Sequence, residues 1–298
     1  MVNLSDYFDK IVVALPQNSE IAATSFTEGF SNHVYRLDWN GQAQCVLRIP
    51  GLDESAFFIN RQCELQVLKM AAEAGLSPTL LWYDNAGALA CRFVSQLPFE
   101  WTVSHCDKNI VRLAKALLRT HQLPAIDHVF CIYKVTEHYL AGIAGFLPAR
   151  PELEEEYSYL KRQLNGLERV VPNSPPVLCH NDLNPKNILM DEQTYWLIDW
   201  EYTGMGDPLF DLAVVARSHN LTSPQRQRLI TAYQPSLDLV DSERRIQQYG
   251  LAYALREMSW LLLKHLTTPE DPQALGFYFD FKATPKLNPF SSRTYNVE

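Results

Sequence analysis

Apolar and polar positions in the first hundred residues follow a pattern typical of short strands with one main helix. The strands are predicted within residues 25–51 and 79–97, and the helices within residues 5–15 and 54–74. The Asn40-Gly41 pair lies between two runs of β-type side chains and is the strongest short signal for a hairpin. The pattern therefore predicts a mostly antiparallel sheet with one helix in this part of the chain.

From about residue 107 the spacing of apolar residues becomes helical. Helices are predicted within residues 107–123, 152–170, 223–234 and 241–266. One β hairpin, at residues 187–200, lies between them. We expect an α+β protein with two lobes, a small one at residues 1–97 and a larger, mainly helical one at residues 98–298.

Composition narrows the class of partner. The 298 residues carry a formal net charge of −8, which argues against a broad interface with nucleic acid or anionic lipid. The six cysteines are scattered singly without zinc-like spacing, so reduced buried thiols are expected. No secretory signal and no stretch of about 18 apolar residues is seen, which predicts a cytoplasmic protein. The expected partner is a small molecule, and the oligomeric state stays open.

Candidate chemistry concentrates in residues 178–202, LCHNDLNPKNILMDEQTYWLIDWEY, where polar side chains stand between two apolar runs. His180, Asp182 and Asn187 form the pattern H-x-D-x-x-x-x-N, and Asp199 ends the following strand. Phosphoryl transfer from a nucleotide needs a group that orients the attacking hydroxyl and oxygen ligands that hold Mg²⁺ on the phosphates. Asp182 is predicted to accept the proton, and Asn187 and Asp199 to bind the metal.

The alternative is a structural use of the same residues. Asp182 would then cap a turn, Asn187 would begin a strand and Asp199 would end one, as these residue types commonly do. A structural use does not require this spacing around a hairpin that follows a β-rich lobe. The catalytic interpretation is therefore favoured.

The segment resembles the catalytic motif of the aminoglycoside phosphotransferase and choline kinase superfamily. Residues 198–213, IDWEYTGMGDPLFDLA, resemble the run that follows the metal-binding aspartate in that superfamily. The resemblance implies a bilobal protein-kinase-like fold. It also implies structural roles for His180, Asp207 and Asp211: one of the two aspartates is expected to cap a helix, and Asp211 to hold the catalytic loop.

The nucleotide side of the resemblance lies in the first lobe. Gly29, Ser31 and Asn32 are predicted to border the phosphates of ATP, although a single glycine in a hairpin is often only a turn. Arg48, followed by Glu64 on the helix, is similar to the Lys–Glu pair of kinases, with arginine in place of lysine as in choline kinases. A surface arginine and a solvated helix charge are the separate alternatives for these two residues.

The acceptor side is predicted from the same resemblance. Glu201 and Tyr202 follow the metal-binding aspartate, and residues 253–266 are similar to a late choline kinase helix that carries two tryptophans three residues apart. Only Trp260 matches, because Leu263 occupies the second position. Aromatic faces and a carboxylate would bind a cationic alcohol, and packing in the core is the alternative for Trp260.

The sequence thus predicts an ATP- and Mg²⁺-dependent O-kinase that acts on choline or a similar amino alcohol. Thiamine kinase is the first alternative, followed by kinases of sugars, homoserine or aminoglycosides. A nucleotide-binding pseudokinase is the alternative from another class. Its usual mark is the loss of the base or a metal ligand, whereas Asp182, Asn187 and Asp199 are all present.

Overall fold

A five-stranded antiparallel sheet forms most of the N-terminal lobe in the structure, a computed structural model that describes residues 3–11, 21–26 and 31–291. Its strands are β1 (Ile21–Phe26), β2 (Asn32–Trp39), β3 (Gln42–Pro50), β4 (Leu80–Tyr83) and β5 (Leu89–Arg92), in the spatial order β1-β2-β3-β5-β4. The turn between β2 and β3 is Asn40-Gly41, where both residues have positive φ, as the sequence predicts. Arg48 lies on β3, opposite Val34 on β2 and Leu89 on β5.

Two helices accompany the sheet. Helix α1 is Ser5–Ile11, and the rest of the helix predicted at residues 5–15 lies outside the described residues. Helix α2 is Arg61–Glu73, so the prediction of a helix from residue 54 was wrong at its start. Asn60 caps α2, because its side chain accepts a hydrogen bond from the backbone of Cys63, and residues 54–58 form turns before it.

The C-terminal lobe is mainly helical and is organised around one long helix. Its helices are α3 (Asp107–His121), α4 (Ile132–Phe146), α5 (Glu154–Asn165), α6 (Pro208–Ser218), α7 (Ser223–Tyr233), α8 (Leu239–Thr267) and α9 (Gln273–Ala283). Helix α8 packs against α4, α5, α6, α7 and α9. Helices α4 and α9 were not predicted from the sequence. None of the helices in the described part of the chain has the length and apolar character needed to cross a membrane.

Two short β ribbons present the candidate catalytic residues at the edge of the helical lobe. The first pairs β6 (Val177–Cys179) with β9 (Gly204–Gly206), and the second pairs β7 (Ile188–Met190) with β8 (Tyr195–Leu197). The second is the predicted hairpin. The segment between the lobes is bonded to it, since the amide of Met190 donates to the carbonyl of Leu97.

The two lobes share one hydrophobic core. Val67, Leu68 and Ala71 of α2 belong to the same buried cluster as the inner faces of α3 and α8. A second, smaller cluster lies between the sheet and α1. The shared core fixes α2 relative to the β ribbons, and this sets the geometry of the site between the lobes.

Candidate active site

Asp182 lies on the loop between β6 and β7 at the junction of the lobes. Its carboxylate accepts a hydrogen bond from the side chain of Asn187 at 3.3 Å and one from the hydroxyl of Tyr253 at 3.3 Å. The Asn187 amide also donates to the backbone carbonyl of Asp182 at 2.8 Å. Because both contacts use the NH₂ group of Asn187, its amide oxygen remains for another partner. The predicted base and the predicted metal ligand are therefore neighbours.

Asp199 follows β8 and lies beside the same loop. Its backbone has a positive φ of 65°, an uncommon conformation for a residue other than glycine. One carboxylate oxygen accepts a hydrogen bond from NH1 of Arg48 at 2.9 Å. The amide of Ile198, the residue before Asp199, donates to the carbonyl of Asn187 at 3.0 Å, so Asp199 follows directly on a contact with the residue that is bonded to Asp182. The three predicted catalytic residues thus converge at one place in the fold.

The predicted Arg48–Glu64 pair forms and is buried. Both residues are less than a tenth exposed, so the surface alternatives for them are wrong. NH1 of Arg48 bonds Glu64 on α2 and Asp199 on the other lobe. One guanidinium therefore joins the N-terminal sheet, helix α2 and the predicted metal ligand.

Burial perturbs the acids of this site. It raises the pKa of Asp182 to about 8, with the nearby acids adding to the effect and Arg256 opposing it. Burial also raises the pKa of Glu201 to about 7 and that of Asp199 above its ordinary value. For Glu64, Arg48 and Arg61 outweigh burial, so its pKa is lowered. Perturbed acids at a lobe junction are typical of functional sites.

Asp211 holds the catalytic loop through its backbone. Its two carboxylate oxygens accept hydrogen bonds from the amides of His180 and Asn181, at 2.8 and 2.7 Å. A ring nitrogen of His121 lies 3.0 Å from one of these oxygens. Asn181 has a positive φ of 67°, which these contacts stabilise. The loop before Asp182 is therefore fixed by a buried carboxylate, the role that the family resemblance implies.

His180 and Asp207 also have structural surroundings. The His180 side chain is bonded to the carbonyl of Ile198 at 3.0 Å, and burial lowers its pKa to about 4, so it is neutral at pH 7. Asp207 caps α6 by accepting from the amide of Leu209. Its other oxygen pairs with Arg245 of α8 at 2.8 Å. Of the two aspartates at the start of α6, the first is the cap.

Of the three predicted acceptor residues, Tyr202 and Trp260 contact each other, whereas the Glu201 side chain is bonded to the N-terminal lobe. The indole nitrogen of Trp260 donates to the hydroxyl of Tyr202 at 2.9 Å, and the Trp260 ring lies 5.6 Å from that of Phe57. Glu201 is 3% exposed and accepts hydrogen bonds from Asn32 and Arg61, each at 3.1 Å. The side chains of Trp260 and Tyr202 are also largely buried.

Three residues of the site were not predicted: Arg61, Tyr253 and Arg256. Arg61 bonds Glu64 at 2.8 Å in addition to Glu201, and its position three residues before Glu64 on a helix was an available signal. Arg256 lies 3.4 Å from Asp182 and is 3% exposed. A charged residue at a core-facing position of an otherwise apolar helical segment could have indicated it.

The predicted phosphate-binding loop is described only in part. Gly29 lies outside the described residues. The carbonyl of Ser31 accepts a hydrogen bond from the amide of Gly51 at 3.2 Å, and the Asn32 side chain is directed to Glu201. This hydrogen bond joins Ser31 to Gly51, the residue that directly follows β3.

The donor atoms suit a magnesium ion. Mg²⁺ prefers oxygen ligands, one or two carboxylates among them, and keeps several waters. The carboxylate of Asp199, whose side chain is 28% exposed, and the amide oxygen of Asn187 provide such ligands. Elsewhere in the described chain, His121, Cys179 and Asp211 also cluster, but Asp211 is already bonded to the backbone.

The five-stranded antiparallel sheet with α2, set against a mainly helical lobe, is the arrangement of the protein-kinase-like fold. The family model described as APH, phosphotransferase enzyme family, matches residues 22–249. The chain belongs to this family.

Known relatives agree with that membership. The chain is 27% identical to protein LicA of Haemophilus influenzae over 214 residues, which cover 69% of this chain and 60% of that protein. It is 26% identical to human ethanolamine kinase 1 over 215 residues, which cover 65% of this chain and 46% of that protein. The chain thus spans less than two thirds of the length of each of these two relatives. The solved structure of choline kinase LicA from Streptococcus pneumoniae shares the fold, with a TM-score of 0.67 and 18% identity. The likeness covers 96% of this chain and 99% of that chain.

Proposed function

We propose that the protein is an ATP-dependent kinase that transfers the γ-phosphoryl group to the hydroxyl of choline or a similar cationic amino alcohol. The observation that carries this proposal is the convergence of Asp182, Asn187 and Asp199 at the lobe junction, where Arg48 also bonds Asp199. Membership of the phosphotransferase family and the likeness to choline and ethanolamine kinases support the same reaction.

Each residue has a specific role in this proposal. Asp182 orients the acceptor hydroxyl and accepts its proton, and Asn187 and Asp199 hold Mg²⁺. The metal, when bound, neutralises charge on the phosphates. Arg48, fixed by Glu64, positions the phosphates, and Ser31 and Asn32 border them. Glu201, Tyr202 and Trp260 line the acceptor side.

The expectation of a cytoplasmic protein and the lobe boundary at residues 97 and 98 stay predictions.

The test is an ADP-release assay with ATP and Mg²⁺ over five acceptors: choline, ethanolamine, thiamine, homoserine and kanamycin. We expect turnover with choline or ethanolamine above the acceptor-free rate. Turnover with thiamine, homoserine or kanamycin alone would move the assignment to that substrate class. Tight nucleotide binding without turnover on any acceptor would contradict the kinase and favour a pseudokinase.

A further inference from the structure

The predicted acceptor site contains a cation of the chain itself, the guanidinium of Arg256. Arg256 lies on α8, and its side chain is 3% exposed. Its Cζ atom is 4.1 Å from the centre of the Tyr202 ring, and its NH1 atom is 3.4 Å from Oδ1 of Asp182. The guanidinium therefore contacts both the predicted proton acceptor and the ring predicted to face the acceptor's cation.

The surroundings of Arg256 keep it charged and in place. NH1 is also bonded to the carboxylate of Glu257, the next residue on the helix. Burial alone would lower the pKa of Arg256, but the nearby groups, Glu257 first and Asp182 among them, raise it well above its usual range. A buried arginine stacked on a tyrosine and bonded to two carboxylates is an ordered cation.

A cationic alcohol bound at Asp182 would carry its charge to the neighbourhood of this guanidinium. The hydroxyl and the nitrogen of choline are separated by only two carbon atoms, so a choline hydroxyl at Asp182 brings the ammonium group close to Arg256. Tyr202 is 3% exposed, and the guanidinium covers one face of its ring. The second predicted ring has a similar neighbour, since Nζ of Lys264 lies 5.6 Å from the centre of the Trp260 ring.

We propose that Arg256 is a specificity-determining residue, which occupies the cation position of the acceptor site and thereby lowers its preference for charged over uncharged alcohols. This inference rests on the proposed function. The physical basis is direct: like charges a few ångströms apart repel in a buried site, and a ring face that stacks on one cation does not receive a second. Removal of the guanidinium frees the ring for an ammonium group and leaves the carboxylate of Asp182 to the acceptor hydroxyl.

The test compares choline with 3,3-dimethylbutan-1-ol, which has the same shape but a carbon atom in place of the charged nitrogen. The measured quantity is the ratio of kcat/KM for choline to kcat/KM for the uncharged alcohol. Because both acceptors use the same base and nucleotide, a general loss of activity or stability cancels in this ratio. The variants are Arg256→Met and Arg256→Gln, with Arg256→Lys as the matched control that keeps the charge.

We expect the ratio to rise by about tenfold or more in the Met and Gln variants and to stay near the wild-type value in the Lys variant. Gln retains a hydrogen-bond donor for Asp182, so it serves if the Met variant does not fold. An unchanged or lower ratio in the neutral variants would overturn the role of Arg256 while leaving the kinase assignment intact. No turnover of either alcohol in any form of the protein would contradict the proposed function and this inference with it.

Discussion

Asp182 is the residue on which the proposed chemistry depends most. Its carboxylate is oriented by Asn187 and Tyr253, and its side chain is 14% exposed. The conservative variant Asp182→Asn keeps the size of the side chain and removes its ability to accept a proton. We expect kcat to fall by about 10²- to 10⁴-fold, with nucleotide affinity nearly unchanged. Steady-state kinetics and calorimetric nucleotide titration measure the two quantities.

The control for this variant is Asp280→Asn, an exposed aspartate on α9, a helix that contributes none of the named site residues. It should retain wild-type kcat. A kcat for Asp182→Asn within a few fold of wild type would show that Asp182 is not the proton acceptor.

The raised pKa of Asp182 also predicts a pH dependence. The proton acceptor must be ionised, and burial raises its pKa to about 8 in the free protein. We therefore expect kcat/KM to rise from about pH 6, to reach half of its maximum near pH 8 and to level off about one pH unit higher, since kcat/KM reports the ionisation of the free enzyme. Glu201, with a pKa of about 7, titrates in the same range. The rising part of the pH profile therefore reports the interacting acids together and not Asp182 alone. A flat profile between pH 6 and 9 would contradict this assignment.

Among the secondary-structure elements, the short ribbon of β6 and β9 supports the catalytic loop. A Cβ atom added to Gly204 of β9 would lie 2.9 Å from Cβ of Phe130 and 3.1 Å from its backbone nitrogen. Neither neighbour is the end of a flexible side chain. We expect Gly204→Ala to lower the free energy of unfolding by about 1–3 kcal/mol, as overpacked sites do. Urea denaturation measures the change.

Gly276→Ala is the matched control, because an added Cβ meets nothing within 4 Å at that position of helix α9. It should be neutral or stabilising by up to about 1 kcal/mol, since alanine favours helix. Equal changes in both variants would show that the contact of Gly204 with Phe130 does not constrain the ribbon.

Much of the element pattern could be predicted from the sequence, and the errors have local causes. The hairpin at Asn40-Gly41 and the one at residues 187–200 were found because turn residues separate clear strand patterns. The start of α2 was missed because apolar residues at 56–59 fit helical spacing, although they form turns that pack on the other lobe. Helix α4 was missed because its β-branched residues and two glycines are poor helix formers.

The candidate site could also be predicted only in part from the sequence. Asp182, Asn187 and Asp199 were predicted because they lie close in sequence and have a distinctive spacing. Arg61 and Arg256 act on them from distant segments, at separations of 140 residues from Glu201 and 74 residues from Asp182. The sequence marks both residues as unusual, Arg61 by its spacing from Glu64 and Arg256 by its place on an apolar helix, but their distant partners are set by tertiary packing.

At the scale of the whole molecule, Arg48 joins the lobes through Glu64 and Asp199. We expect Arg48→Ala to raise the apparent KM for ATP by roughly tenfold to a hundredfold, because a charge-assisted contact with the phosphates is lost. The KM for the acceptor should change much less. Initial rates over a matrix of both substrate concentrations separate the two effects.

Arg36→Ala is the control for Arg48, since Arg36 lies on the neighbouring strand β2 and pairs with Asp38 at a partly exposed position. It should leave both KM values unchanged. Thermal melts of both variants distinguish a loss of phosphate contact from unfolding. An unaltered KM for ATP in a folded Arg48→Ala protein would show that Arg48 does not serve the nucleotide.

The central claim is that Asp182, Asn187 and Asp199 converge where a magnesium-bound triphosphate meets an alcohol. A crystal structure with Mg²⁺, a non-hydrolysable ATP analogue and choline tests it most directly. The account predicts a metal ligated by the Asn187 amide oxygen and the Asp199 carboxylate, with the acceptor hydroxyl about 2.6–3.2 Å from the Asp182 carboxylate. A nucleotide bound outside the lobe junction, or a metal held by other side chains, would contradict it.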